Sequence, residues 1–358
     1  VFRSSFLSVL ALTHCLFLFL SGCKPTATYW LDPLPSSTPA GYSSSNQLFS
    51  VYFSSPSNQD TQGGPDRDLA EAIDNARNQI DAALYDLNLW TIRNALLRAH
   101  QRGVRVRMVV ESDSLGRSEI QELITAGIPV VGDEGESLMH NKFLVIDGAE
   151  VWTGSMNLTV NGAYRHLNDL IQVKSTLVAE NYQTEFEEMF LEGYFGEIVQ
   201  ENTPHPILTI DGIQIESYFS PDDSTQGRII ELIQEAQRSI DFCYYSFTSD
   251  QVADALLERA QDGLILRGVV DTYQERAGIG GEYQRLKDHG VDIHLDGHPE
   301  KMHLKLIIID ERIVITGSYN LTRSAETRND ENTLVIHSEE LARFYLNEFE
   351  LIYADARP

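Results

Sequence analysis

The sequence predicts an α/β protein made by internal duplication, with two α/β halves related by a pseudo-twofold and one site shared between them. Three observations predict this. Ala72–Tyr85 has a counterpart at Leu232–Tyr245, each a helix-period stretch that gives way to a β-type run at Ile-Asp. Ala95–Ala99 is matched by Ala255–Arg259, and each is followed by a glycine suited to a helix C-terminal cap, Gly103 or Gly263. Met139-His140-Asn141-Lys142 recurs as Met302-His303-Leu304-Lys305. Helices that alternate with strands in each copy call for a layered α/β half.

The chain opens with an apolar stretch, Phe6–Leu20, preceded by a single charge at Arg3. This is the pattern of a signal peptide over residues 1–22. Leu20-Ser21-Gly22-Cys23 resembles the lipobox of bacterial lipoproteins, so Cys23 is the expected lipidation site and the acyl chains the expected membrane anchor. The expected location is the cell envelope. The outer membrane is favoured where the cell has one, because Lys24 is not an inner-membrane retention signal of the Asp type. Residues 24–46, with Pro33, Pro35, Pro39 and Ser43-Ser44-Ser45, read as a flexible tether before the first half, 47–200. That half carries a strand at Val104–Val110 ending in Glu111. Asn202-Thr203-Pro204-His205-Pro206 breaks the pattern near the join, and the second half, 201–358, repeats the strand at Leu264–Val270 ending in Asp271. Cys15 falls in the leader, which leaves Cys243 alone among bulky alternating residues, the signature of a core position. The mature chain then has no disulfide and no cysteine-based metal site.

An apolar fraction of 42% and a charged fraction of 22% describe a globular chain. The formal net charge of −26 argues against broad attraction to nucleic acid or to an anionic membrane surface, although a local basic cleft is compatible with it. Arg102, Arg105 and Arg107 come nearest to a basic run, and Arg107 falls on a predicted strand.

The chemistry resides in the repeated motif. His140-x-Lys142 is followed at identical spacings by Asp147, Gly154, Ser155 and Asn157, just as His303-x-Lys305 is by Asp310, Gly317, Ser318 and Asn320. Phe143–Ile146 and Leu306–Ile309 are continuous apolar runs that read as fully buried strands. Residues two apart on a strand share a face, so each His and Lys should point together while Asn141 and Leu304 point away. Two imidazoles, two ammonium groups, two hydroxyls and two amides around one space would suit a phosphodiester. A lone His-x-Lys is ordinarily a polar strand edge; the matched set is not so easily reduced. Asp147 and Asp310 sit where hairpins turn, a position that favours fixing the turn.

These residues resemble the duplicated His-Lys-Asp signature of the phospholipase D superfamily with its Gly-Ser-x-Asn extension, over roughly Leu48 to the C-terminus. The resemblance implies a two-half fold with one active site and a two-step reaction without metal or cofactor. It makes His140, Lys142, Asp147, His303, Lys305 and Asp310 the catalytic set, with His140 as nucleophile and His303 as general acid. Ser155, Asn157, Ser318, Asn320 and Glu331 become supporting or phosphate-binding groups. Related nucleases carry an acid 28 residues after the motif His that orients its ring; here that offset gives Glu331 in the second copy and Asn168, beside Asp169, in the first. An amide does not stabilise an imidazolium as a carboxylate does, so the two histidines should differ in basicity. His294, His298 and His303 form a loose series, but a zinc site needs them on one surface with a further ligand.

The expected activity is that of a phospholipase D-like phosphoric diester hydrolase that hydrolyses or transfers phospholipid head groups through a phosphohistidine intermediate. The expected organisation is a monomer with an internal pseudo-dimer, anchored to the membrane through Cys23. A nuclease of the same superfamily is the first alternative, with nucleic acid as substrate, and a non-catalytic envelope lipoprotein is the second.

Overall fold

The computed structural model describes residues 42–357 apart from 45, 55, 57–62, 134 and 279, so the leader-like stretch and Cys23 lie outside the described residues. Two eight-stranded mixed sheets form the framework. The first runs Tyr42–Ser43, Phe49–Phe53, Asp169–Val173, Glu150–Thr153, Lys142–Ile146, Gln79–Leu84, Arg105–Val110, Val130–Gly132. The second repeats the same order, read from its opposite edge: Asp292–Leu295, Ile265–Val270, Ser239–Tyr244, Lys305–Ile309, Ile313–Gly317, Glu331–His337, Ile213–Ser220, Ile207–Ile210. Even the register recurs, with Leu84 opposite Lys142 and Tyr244 opposite Lys305 in antiparallel pairs. Tyr42 pairs with Val51, so the end of the expected tether is in fact an edge strand of the first sheet.

Each motif strand lies near the middle of its sheet and is buried on both faces, which explains its unbroken apolar run. Phe143, Val145, Leu306 and Ile308 enter one apolar cluster shared by both halves. Leu144 and Ile146 face instead the outer helices Asp66–Asn75, Trp90–Gln101 and Ser118–Thr125. Ile307 and Ile309 do the same toward Thr225–Glu235, Asp250–Gln261 and Tyr283–Asp288. Two further helices line the shared cluster: Thr176–Glu187 through Val178, Tyr182 and Phe186, and Glu339–Asp355 through Leu341, Tyr345 and Phe349. Both start at a serine cap, with Ser175 Oγ accepting from the Val178 amide and Ser338 Oγ from the Leu341 amide. Arg107 is spent inside the fold on Asp81 at 2.7 Å, as its counterpart Arg267 is on Asp241, so neither belongs to a surface groove.

Candidate active site

The two halves meet at the ends of the motif strands. The His140 amide donates to the Asp330 carbonyl at 3.0 Å and the His303 amide to the Leu167 carbonyl at 2.8 Å. Each motif is therefore paired with backbone of the opposite half. The residue before each histidine is tied down as well: the Met139 amide donates to Glu111 and the Met302 amide to Asp271, the acids that end the second parallel strand of each copy. Side chains alternate as the spacing predicts. Lys142 Nζ reaches back to the His140 carbonyl, and Lys305 Nζ to the His303 carbonyl at 2.8 Å. Asn141 instead accepts from Asn332 across the halves, and Leu304 enters the shared apolar cluster.

Sequence reasoning placed Glu331 with the histidine of its own copy. The structure corrects this: the partners cross. Glu331 Oε2 accepts from Nδ1 of His140 at 2.8 Å, whereas Nδ1 of His303 meets the Asn168 carboxamide oxygen at 2.9 Å and the Ser155 carbonyl at 3.1 Å. Carboxylate and carbonyl oxygens only accept, so both rings carry the proton on Nδ1 and leave Nε2 free. Ser155 and Ser318 take the supporting part of their expected role and not the phosphate-binding part. Their hydroxyls donate to Asn168 at 3.0 Å and Glu331 at 2.6 Å, and they accept from the Asp169 and Asn332 amides. They hold the histidine partners in place and are not aimed at a ligand. The glycines before them are needed for closeness: a Cβ on Gly154 would stand 2.6 Å from the Asp169 carbonyl oxygen, and one on Gly317 2.2 Å from that of Asn332. Asn157 and Asn320 keep buried carboxamide oxygens without a partner at matched positions, acceptors open to a hydroxyl or water donor.

Sequence reasoning noted Tyr85 and Tyr245 only as the last matched residues of the repeat. In the structure each wraps its own motif: the Tyr85 ring is 4.8 Å from the His140 ring with Lys142 Nζ 5.0 Å from its centre, and Tyr245 is 4.6 Å from the His303 ring with Lys305 Nζ at 4.9 Å. Their identical place in the two copies was the available signal.

His140, Lys142, His303, Lys305 and Glu331 are all buried. Burial pushes His140 down to about 4, with Glu331 opposing, and pushes Lys142 down to about 7. His303 and Lys305 fall well below their usual ranges, first by burial and then by the neighbouring cations. Burial thus outweighs the carboxylates around these four basic groups, among which Glu331 acts on His140 and on both lysines. An anion bound among them would favour the charged forms of Lys142, Lys305 and His303, while His140, uncharged with Nε2 bare, keeps that nitrogen free.

Asp147 and Asp310 do not join this cluster, which corrects their place in the catalytic set. They sit at the far end of the motif strands, roughly 20 Å from the histidines at about 3.3 Å per residue. Asp147, with Gly148, and Asp310, with Glu311, have φ between 50° and 60°, the two-residue turn that suits a twisted hairpin. The Asp147 carboxylate accepts from the amides of Arg77, Asn78 and Gln79, and Asp310 from those of Gln237, Arg238 and Ser239. Partial burial raises the Asp147 carboxyl, but those amides outweigh it and hold the group below its usual range. Asp147→Ala should cost about 2–3 kcal/mol, seen as a lower urea midpoint, with kcat of the folded protein within about twofold of wild type. A large fall in kcat without loss of stability would return Asp147 to the chemistry. His294 and His298 are engaged elsewhere, with Asp292 and with the Arg165 carbonyl, and do not converge with His303.

A family model described as a cardiolipin synthase, PLD-like domain matches the chain twice, over residues 69–190 and 229–353. Human mitochondrial cardiolipin hydrolase is 34% identical over 136 residues, 38% of this chain and 54% of that protein. The chain thus spans about half the length of such relatives. A protein named phospholipase D from Rickettsia prowazekii (strain Madrid E) is 31% identical over 145 residues, 40% of this chain and 70% of that one. The crystal structure of phosphatidylserine synthase from Haemophilus influenzae Rd KW20 superposes with a TM-score of 0.67 at 13% identity, covering 88% of both chains, and shares the duplicated fold.

Proposed function

Because the chain belongs to the phospholipase D superfamily, we propose that it is a phosphodiesterase that releases phospholipid head groups in two steps through His140 and His303. The observation that carries this reading is the pair of buried imidazoles, both locked at Nδ1 but by unlike partners. Nε2 of His140 attacks phosphorus, and the ring becomes cationic as the P–N bond forms. Glu331 stabilises that cation from the other side. His303 takes a second proton, on Nε2, when the anionic substrate binds beside it, and the bond to the leaving oxygen breaks as His303 gives that proton to it. His303, now neutral, takes a proton from water, whose oxygen displaces Nε2 of His140 from phosphorus. Lys142 and Lys305 supply charge and hydrogen bonds to the non-bridging oxygens, and Asn157 and Asn320 would donate to them through Nδ2, not through Oδ1.

A lipid substrate is favoured over nucleic acid by relatives named cardiolipin hydrolase and phospholipase D. Lipidation at Cys23 would hold the enzyme beside such a substrate. The test is the full chain in detergent with EDTA, offered phospholipid vesicles and single-stranded oligonucleotide in parallel. Head-group release is expected. Cleaved oligonucleotide with intact lipid would make the chain a nuclease, and silence on both would favour a non-catalytic role.

A further inference from the structure

In the proposed reaction His303 is charged once substrate has bound and neutral again after product has left, so each turnover moves one proton into and out of a ring that is only 6% exposed. Beside that ring lies a titratable group that the reaction does not use. His166 is half-buried, and its ring centre is 6.3 Å from that of His303, beyond a direct hydrogen bond and within the reach of one bridging water. Its backbone is fixed: the amide donates to the Asn161 carbonyl at 2.8 Å, and the carbonyl accepts from Ser54 Oγ at 2.6 Å. Its ring makes no hydrogen bond among the described residues. Residues two apart share a face of an extended segment, so His166 stands on the face of Asn168, whose carboxamide holds Nδ1 of His303.

The other half shows that the fold does not require an imidazole there. The matching bridges of Leu167 to Met302 and of Asp330 to Met139 make Asn329 the equivalent of His166. Asn329 is buried and committed, with Oδ1 accepting from the Leu138 amide at 3.3 Å and Nδ2 donating toward Glu331 at 3.5 Å. A group that can carry a proton thus replaces a structural amide beside His303 alone. Glu300, Lys301 and His298 face His166 from the loop before the second motif, and Lys305 and His303 face it from the motif strand. Burial first, and then Lys301, push its ring down to about 4, while Glu300 opposes them. The neutral ring has one nitrogen to accept a proton and one to donate.

We propose that His166 is the proton relay of His303, a positioning residue that acts through that ring and does not touch the substrate. As the anion binds, one nitrogen of His166 takes a proton from solvent and the other gives its own to the bridging water. That water passes a proton to Nε2 of His303. After product leaves, the same chain runs backwards, so one proton enters and one leaves per turnover and nothing else is consumed. This rests on His303 as the group that protonates the leaving oxygen, and not on a choice between lipid and nucleic acid.

The test uses the full chain in detergent with His166→Asn, which borrows the residue of the other half, and with His166→Gln as a second variant. The substrates are diphenyl phosphate, whose phenol leaves poorly without a proton, and bis(4-nitrophenyl) phosphate, whose leaving group needs none. Each variant should lose about tenfold or more in kcat on the first and about threefold or less on the second, and imidazole added to the buffer should restore most of the loss. Equal losses on both substrates without rescue, or wild-type rates in both variants, overturn the relay. His303→Ala in the same assay addresses the reading beneath it: wild-type rates there remove His303 as the acid and the relay with it, whereas a slow His303→Ala beside wild-type His166 variants overturns the relay alone. If wild type cleaves neither diester, nuclear magnetic resonance decides. With inorganic phosphate bound, the Nε2 proton of His303 should appear and should exchange with water about tenfold or more slowly in His166→Asn than in wild type. No such proton, or equal exchange in the two proteins, overturns the relay.

Discussion

His140→Ala is expected to lower turnover by about 10⁴-fold or more, and His303→Ala by about 10²–10⁴-fold, measured as head-group release. The asymmetry follows from the roles. Without His140 there is no nucleophile and no covalent route, and the buried lysines cannot replace it because each ammonium is turned back onto the backbone carbonyl two residues before it. Without His303 the attack can still occur, but the leaving alkoxide must depart without a proton, and water must then attack without a base. A substrate with an acidic leaving group should recover most of the first step in His303→Ala and nothing in His140→Ala. Equal recovery in both proteins would mean that the roles are not divided in this way.

The second large effect is expected at Glu331. Glu331→Gln keeps the shape and the contact with Ser318 but removes the charge that faces the cationic phosphohistidine, so kcat should fall by about 10²–10³-fold. Asn168→Asp makes the opposite change on the other ring. A carboxylate at Nδ1 favours the imidazolium of His303 and so raises its pKa. The acid form then survives to higher pH, and the alkaline limb of kcat/KM should move up by about one unit or more. A downward shift, or none, would show that His303 is not the group titrating on that limb. The two variants together separate a charge effect from a packing effect, since both substitutions are nearly isosteric.

What was legible in the sequence was local and periodic. The unbroken runs 143–146 and 306–309 gave buried strands, the two-residue spacing gave the shared face of His and Lys, and Asp147-Gly148 gave the turn. The crossed pairing was not legible. Glu331 stands 28 residues from His303 but contacts His140, 191 residues away, and only the docking of the halves decides between them. Ser155 and Ser318 were left open between support and phosphate binding for a related reason: a hydroxyl beside a cationic cluster suits a phosphate, and nothing in the spacing shows that it is already bound to Asn168 or Glu331. The edge strand Tyr42–Ser43 is too short for any period and is embedded in Pro- and Ser-rich sequence, so it reads as linker. Tyr85 and Tyr245 repeat exactly in place, yet an aromatic residue at a strand end has an ordinary core explanation until its neighbours are known.

The proposed reaction runs through one covalent site assembled from both halves, with His140 carrying the intermediate. The direct measurement uses His303→Ala and a phosphatidyl p-nitrophenyl ester, whose leaving group needs no proton while hydrolysis of the adduct still lacks its base. After alkaline denaturation and digestion, mass spectrometry should place a phosphatidyl group on His140, near one per chain, and find none in the protein that also carries His140→Ala. An adduct on another residue, or steady release of phosphatidic acid with no adduct at all, would contradict it.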